Sequence, residues 1–162
     1  MTAELQHTQL DGISEYINAL DTLCKLAKRS LCLFDKNFDD AGFNSEARYE
    51  TLRAFLLASS TNSLQILAHD TSYLAQRCPR MMMLLRQFSH NMHIYCTPQH
   101  LQNVSEPFAI ADETHFVRRF HFDDVRGILA QNDPQGARTL HSQFMEMWTA
   151  SHPSVSATTL GL

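Results

Sequence analysis

Residues 107–148 read PFAIADETHFVRRFHFDDVRGILAQNDPQGARTLHSQFMEMW, and the order of elements in this stretch decides the fold. Phe108–Asp112 is a short apolar run closed by a carboxylate, and His115–Phe122 is a second run rich in aromatics and arginine. Only Glu113 and Thr114 separate them, too few residues for a parallel crossover, so the two runs pair as an antiparallel hairpin. Alternation sends Phe116, Arg118, Phe120 and Phe122 to one face and His115, Val117, Arg119 and His121 to the other. Val125, Ile128 and Leu129 recur at helical spacing and predict a short helix around residues 124–130. Asp133-Pro134 then opens a longer helix, the carboxylate capping it and the proline taking its first position. Ala137, Leu140, Phe144, Met147 and Trp148 form the stripe that docks this helix on the sheet.

Upstream of the hairpin the pattern is repetitive. Ile13, Ile17, Leu20, Leu23, Cys24 and Ala27 mark a helix over Asp11–Lys28. Three short apolar strands follow, Ser30–Phe34, Ser63–Ala68 and Met92–Cys96. The first two are joined by a loop rich in Asp, Asn and Gly and a helix capped by Asn44 or Ser45. Asp70 caps the segment after the second strand, in which Pro79 starts a fresh helix with Met81, Leu84, Leu85 and Phe88 inward. Three strand–helix repeats in succession argue for parallel strands joined by right-handed crossovers. The expectation is an α/β domain: a mixed, mostly parallel sheet flanked by helices, with a C-terminal antiparallel hairpin and docking helix. It spans residues 1–162 as a single domain, with flexible ends at 1–10 and 152–162.

A chain of 162 residues with 44% apolar and 19% charged residues can bury a real core. Its net charge of −4 argues against a duplex nucleic-acid binder, which carries a basic stripe. No apolar run reaches the roughly 18 residues of a membrane span, and the N-terminus lacks a signal-peptide layout, so the expected compartment is the cytoplasm. Cys24, Cys32, Cys78 and Cys96 form no CxxC pair and read as buried free thiols. His90, His93 and Cys96 are too loosely placed for structural zinc, so neither a metal nor a cofactor is expected.

This succession of elements, ending in an Asn-Asp-Pro-started helix with the pattern F-x-x-x-W at Phe144–Trp148, resembles the phospholipase D superfamily over roughly residues 12–150. That family carries H-x-K-x-x-x-x-D on a strand, with Gly-Ser or Gly-Thr about seven residues beyond. Aligned on Asp112, the histidine position is Ser105, the lysine position is Pro107, and the Gly-Ser position falls on Arg119-Phe120. Only the aspartate matches. The family's chemistry needs the imidazole as nucleophile on phosphorus and the ammonium to hold the phosphate charge. The resemblance therefore implies a degenerate, non-catalytic member with no catalytic residues. It is closer to bacterial phospholipase D-like domains that occur alone or beside acetyltransferase domains, which makes an acetyltransferase a candidate partner. Single-copy domains of this kind further imply a homodimer with its crevice near the two-fold axis, and some of Phe116, Phe120, Phe122 and Trp148 would suit its interface.

Two candidate sites remain. Ligands of open α/β sheets bind beyond the carboxyl ends of the strands, which nominates Asp35, Lys36, His69, Asp70 and Asp112 as a crevice set. Converging carboxylates there could hold a divalent cation or support an altered hydrolase or phosphotransfer chemistry. Arg118, Arg119 and His121 form the other candidate, an anion-binding cluster that could receive a phosphate or carboxylate.

Overall fold

The apolar run at Ser30–Phe34 is unbroken because both faces of that strand are covered. Leu31 and Leu33 pack into one hydrophobic core and Cys32 and Phe34 into a second, on the opposite side of the sheet. In chain order the computed structural model, which describes residues 3–155, begins with β1 (Gln6–Asp11), α1 (Ile13–Leu26), β2 (Ser30–Asp35) and α2 (Glu46–Ala58). It continues through β3 (Ser63–Ala68), α3 (Ser72–Arg77), α4 (Pro79–Gln87) and β4 (Met92–Cys96). The last part holds β5 (Phe108–Ala111), β6 (His115–His121), β7 (Asp124–Gln131), α5 (Pro134–Ala150) and β8 (His152–Val155).

All eight strands join one sheet in the order β1-β7-β6-β5-β2-β3-β4-β8. The centre, β2, β3 and β4, is parallel, as the strand–helix repeats require. The hairpin β5–β6 is antiparallel, with Ala111 opposite His115, and β5 runs antiparallel to β2, with Phe34 opposite Phe108 and Leu31 opposite Ala111. Helices α1, α2 and α4 cover one face through Leu20, Leu23, Leu52, Leu56, Met81 and Leu84. On the other face α5 docks through Ala137, Phe144 and Met147, and Trp148 stacks on Tyr95 with ring centroids 3.9 Å apart. Asp133 caps α5 by accepting from the Gly136 N–H at 3.0 Å, and Ser45 caps α2 by accepting from the Arg48 N–H at 3.0 Å.

Three segments depart from the sequence reading. Residues 124–130 form strand β7, not a helix, because the segment is paired on both sides, with β6 and with β1. Gly127 sits opposite Arg119, where an added Cβ would lie 2.1 Å from the Arg118 carbonyl oxygen, so the close approach of two backbones explains the glycine. Gln6–Asp11, expected as part of a flexible end up to residue 10 and the start of a helix at Asp11, is edge strand β1, in register with β7 from Gln6↔Gln131 to Asp11↔Arg126. Only Leu10 of this strand is buried. The ladder holds it, assisted by His7 Nε2 at 2.9 Å from Asp133 Oδ2 and by the Asn132 side chain donating to the Glu4 carbonyl. His152–Val155, expected within the other flexible end, is strand β8 on the edge of β4; residues 156–162 lie outside the described residues.

Candidate functional site

The loop after β2 looks polar in sequence yet is pinned from within. Phe38 and Phe43 bury their rings edge to face at 5.0 Å, with Phe38 in the left-handed region at φ 64°. Arg48, fully buried on α2, grips the same loop. Its Nη1 donates to the Ala41 carbonyl at 2.9 Å, its Nε to Asp21 at 2.6 Å, and its guanidinium stacks over Phe43 at 4.8 Å. These contacts fix the loop that carries Asp39 and Asp40 beside the carboxyl end of β2.

A second buried arginine builds the opposite wall. Arg119 on β6 is 2% exposed. It donates from Nε to the Asp124 carbonyl at 2.9 Å, from Nη2 to the Phe122 carbonyl at 2.6 Å, and from Nη1 to Asp40 Oδ2 at 3.2 Å. Its guanidinium lies 4.9 Å over the Tyr16 ring of α1. One side chain thus ties the β6–β7 turn, the loop after β2 and α1 together.

Between these walls is a cavity of ≈ 300 Å³ lined by Asp35, Lys36, Asn37, Asp39, Asp40, Phe122 and Asp123. Four carboxyl groups face one ammonium. Asp35 is 4% exposed. Its Oδ1 accepts the Lys36 N–H at 2.6 Å, while its buried Oδ2 has no hydrogen-bond partner among the described residues. Desolvation, then the neighbouring Asp40 carboxylate, push the Asp35 carboxyl up to about 7, against the pull of the Lys36 N–H and Arg119. An orphaned carboxylate oxygen is costly to bury. Asp35 itself is among the residues that line the cavity.

The other crevice candidates fall in different places. Lys36 lines the cavity. His69 is buried at the same end of the sheet, with Nε2 2.7 Å from the Val104 carbonyl and Nδ1 2.6 Å from Thr97 Oγ1. A carbonyl can only accept, so Nε2 carries the proton and both ring nitrogens are engaged. Desolvation lowers its pKa and keeps the ring neutral. Asp70 turns its carboxylate to the Ser72 N–H at 2.9 Å, starting α3.

Asp112 does not join the crevice. Because β5 is antiparallel to β2, its last residues lie beside the start of β2, roughly 13 Å of strand from Asp35. There the Asp112 carboxylate accepts three backbone N–H groups, from Lys28 at 2.9 Å, Arg29 at 2.7 Å and Ser30 at 3.0 Å. The three strand-end aspartates of the sequence reading therefore do not converge. Ser105 and Pro107, by contrast, enter β5 at the crevice end. The Ser105 carbonyl accepts from the Phe122 N–H at 2.8 Å and that of Pro107 from the Arg119 N–H at 3.0 Å.

The arginine–histidine cluster is likewise divided. Alternation places Arg119 on the α1 face and Arg118 on the α5 face, where Arg118 reaches Glu106 at 3.3 Å. His121 is exposed and its Nδ1 accepts the Asp123 N–H at 3.0 Å. No single anion could meet all three. The sequence reading overlooked Asn37, Asp39, Asp40, Phe122 and Asp123; the signal available was the density of aspartate in DKNFDD at 35–40 and in FDD at 122–124. Among the described residues no group of three His, Cys, Asp or Glu side chains is arranged to hold a metal ion, and no helix is long and apolar enough to cross a membrane.

The architecture is shared with solved structures. Nuc from Salmonella typhimurium, a phospholipase D family member, matches with a TM-score of 0.66 at 12% identity, over 94% of this chain and 99% of its own. NucT from Helicobacter pylori matches at 0.61 and 12% identity over 93% and 100%. TrmBL2, an archaeal chromatin protein with a novel mode of DNA binding, matches at 0.69 and 14% identity, over 92% of this chain and 54% of its own. The fold is that of the phospholipase D superfamily. By sequence, the chain belongs to the family described as domain of unknown function DUF7931, whose profile matches residues 13–160. No curated protein matches the sequence.

Proposed function

We propose that this domain is a phospholipase D-like binding module that has lost phosphodiesterase chemistry. The observation that carries the reading is the entry to β5, where Ser105 and Pro107 stand at the positions that the superfamily gives to its nucleophilic histidine and phosphate-holding lysine. Serine beside proline provides no ammonium for a phosphate oxyanion. His69, the one imidazole buried at that end among the described residues, already spends both nitrogens on Val104 and Thr97. The four aspartates of the cavity would also repel a phosphodiester.

The module acts as a homodimer in this reading. Exposed Phe120 and Val125 flank the β6–β7 turn at the crevice end, where a two-fold contact would cover them and bring two crevices together. Purified protein is assayed against a bis-aryl phosphodiester, single-stranded and duplex DNA, and phospholipid vesicles, with its mass measured by sedimentation equilibrium. The expected result is no turnover and a dimer. Turnover above background that disappears in both Asp35→Asn and His69→Ala would overturn the non-catalytic reading; a monomer that persists at high protein concentration would overturn the dimer.

A further inference from the structure

Resting on the reading of the crevice as a binding site, we infer that its ligand is an organic polyamine, held by the buried Asp35 carboxyl and the aspartates around it. Three observations narrow the chemistry. The first is charge: Asp35, Asp39, Asp40 and Asp123 oppose only Lys36 in the lining, while Arg119 is committed to Asp40, two carbonyls and the Tyr16 ring. The second is the orphaned Oδ2 of Asp35, a buried atom of a residue that lines the cavity, with no donor among the described residues. It wants a donor that the protein does not supply. An ammonium group brings three N–H donors and charge-assisted bonds to carboxylates.

The third observation is shape. A divalent ion needs six or more oxygens closing to about 2.3–2.6 Å around one point. No three acidic or imidazole groups are so grouped among the described residues, and ≈ 300 Å³ is far more than one ion fills. The ring of Phe122 in the lining offers an apolar and cation-accepting surface suited to the methylenes and second ammonium of an extended amine. Carboxylates spread over two loops, from 35–40 and from 123, match charges spaced along a chain better than a point charge.

The groups around Asp35 set the pH response. Tyr16 from α1, Arg119 from β6, Lys36, Asp39 and Asp40 from the loop after β2, and Asp123 from the β6–β7 turn surround it. Of these, Asp39, Asp40 and Asp123 raise the demand for a cation and Lys36 competes for the same oxygens. Binding thus draws a proton from Asp35 and strengthens as that group ionises.

Isothermal titration with spermidine, on the full chain at pH 6 and pH 8 in two buffers of different ionisation heat, tests this. Binding is expected to tighten about tenfold between pH 6 and pH 8 with net proton release at pH 6. It is expected to weaken at least tenfold in Asp35→Asn and severalfold in Asp40→Asn, and to tighten severalfold in Lys36→Met. Near-ultraviolet circular dichroism verifies that each variant is folded; should Asp35→Asn not fold, Asp40→Asn and Lys36→Met decide. Equal affinity in the folded variants, absence of binding at millimolar spermidine, or magnesium ion binding with the same variant dependence would overturn the inference. A failure here without phosphodiester turnover leaves the binding-module reading in place, whereas turnover removes that reading whatever spermidine does.

Discussion

The guanidinium Nη1 of Arg119 stands 3.2 Å from Asp40 Oδ2, and this contact joins the hairpin to the loop after β2 across the mouth of the crevice. Arg119 is fully enclosed while Asp40 keeps 41% of its side-chain exposure. The arginine is thus the structural partner and the aspartate the one still able to meet a ligand.

Replacing Arg119 with methionine leaves the carbonyls of Phe122 and Asp124 without their donors and removes the brace over Tyr16. Truncating one partner of a buried, hydrogen-bonded charge network costs about 3 kcal/mol. For a domain of this length that lowers the melting temperature by roughly 6–12 °C, which differential scanning calorimetry would register. A change within about 1 °C would contradict the bracing role.

Asp112→Ala separates scaffold from site. The carboxylate serves three N–H groups at the start of β2, so its loss should cost about 2 kcal/mol in a urea titration, with the denaturant slope unchanged. Spermidine affinity of the folded protein should stay at the wild-type value. Loss of affinity with no loss of stability would reverse this assignment.

Asp35 makes stability fall with pH. Its carboxyl is raised from 3.8 to about 7 in the folded chain, so between those values the folded state holds a proton that the unfolded state has released. Its contribution is fully present below about pH 4 and is lost as pH rises through about 7. Asp35→Asn, which stays neutral, should match wild type near pH 4 and exceed it at pH 8, by up to about 4 kcal/mol if the whole shift is realised. Urea midpoints of both proteins at the two pH values give the comparison, and a variant less stable than wild type at pH 8 would contradict it.

Gly127→Ala distinguishes strand from helix by sign. In a helix interior the change would stabilise by about 1 kcal/mol. In β7 the new methyl meets the Arg118 carbonyl at 2.1 Å, so a loss of at least about 2 kcal/mol is expected. Denaturant midpoints decide between the two, and amide exchange across β6 and β7 should quicken.

The parallel centre of the sheet was legible because β2, β3 and β4 are short, mostly apolar runs, with β2 covered on both faces. The hairpin was legible because two residues cannot carry a crossover. Val125, Ile128 and Leu129 misled because their spacing fits a helical turn, while the segment is a strand because it pairs with β6 just before it and with β1 more than a hundred positions away. Strands β1 and β8 left little trace because a sheet edge held by its ladder needs few apolar side chains. Asp35 and Lys36 were legible as residues at the carboxyl end of a strand. The place of Asp112 was not legible, because it depends on the direction of β5, and those of Asp39, Asp40 and Asp123 were not, because two buried arginines and two phenylalanines, rather than any local motif, bring their loops together.

The pairing of β1 with β7 has a consequence for how the chain is made. Gln131, the partner of Gln6, leaves the ribosome only after roughly another 125 residues. At the usual 5–20 residues per second that delay is on the order of ten seconds. Through that interval β1 has no β7 on which to form its ladder. Its mostly polar side chains, with Leu10 as the lone buried one, give other nascent chains little to adhere to while it waits.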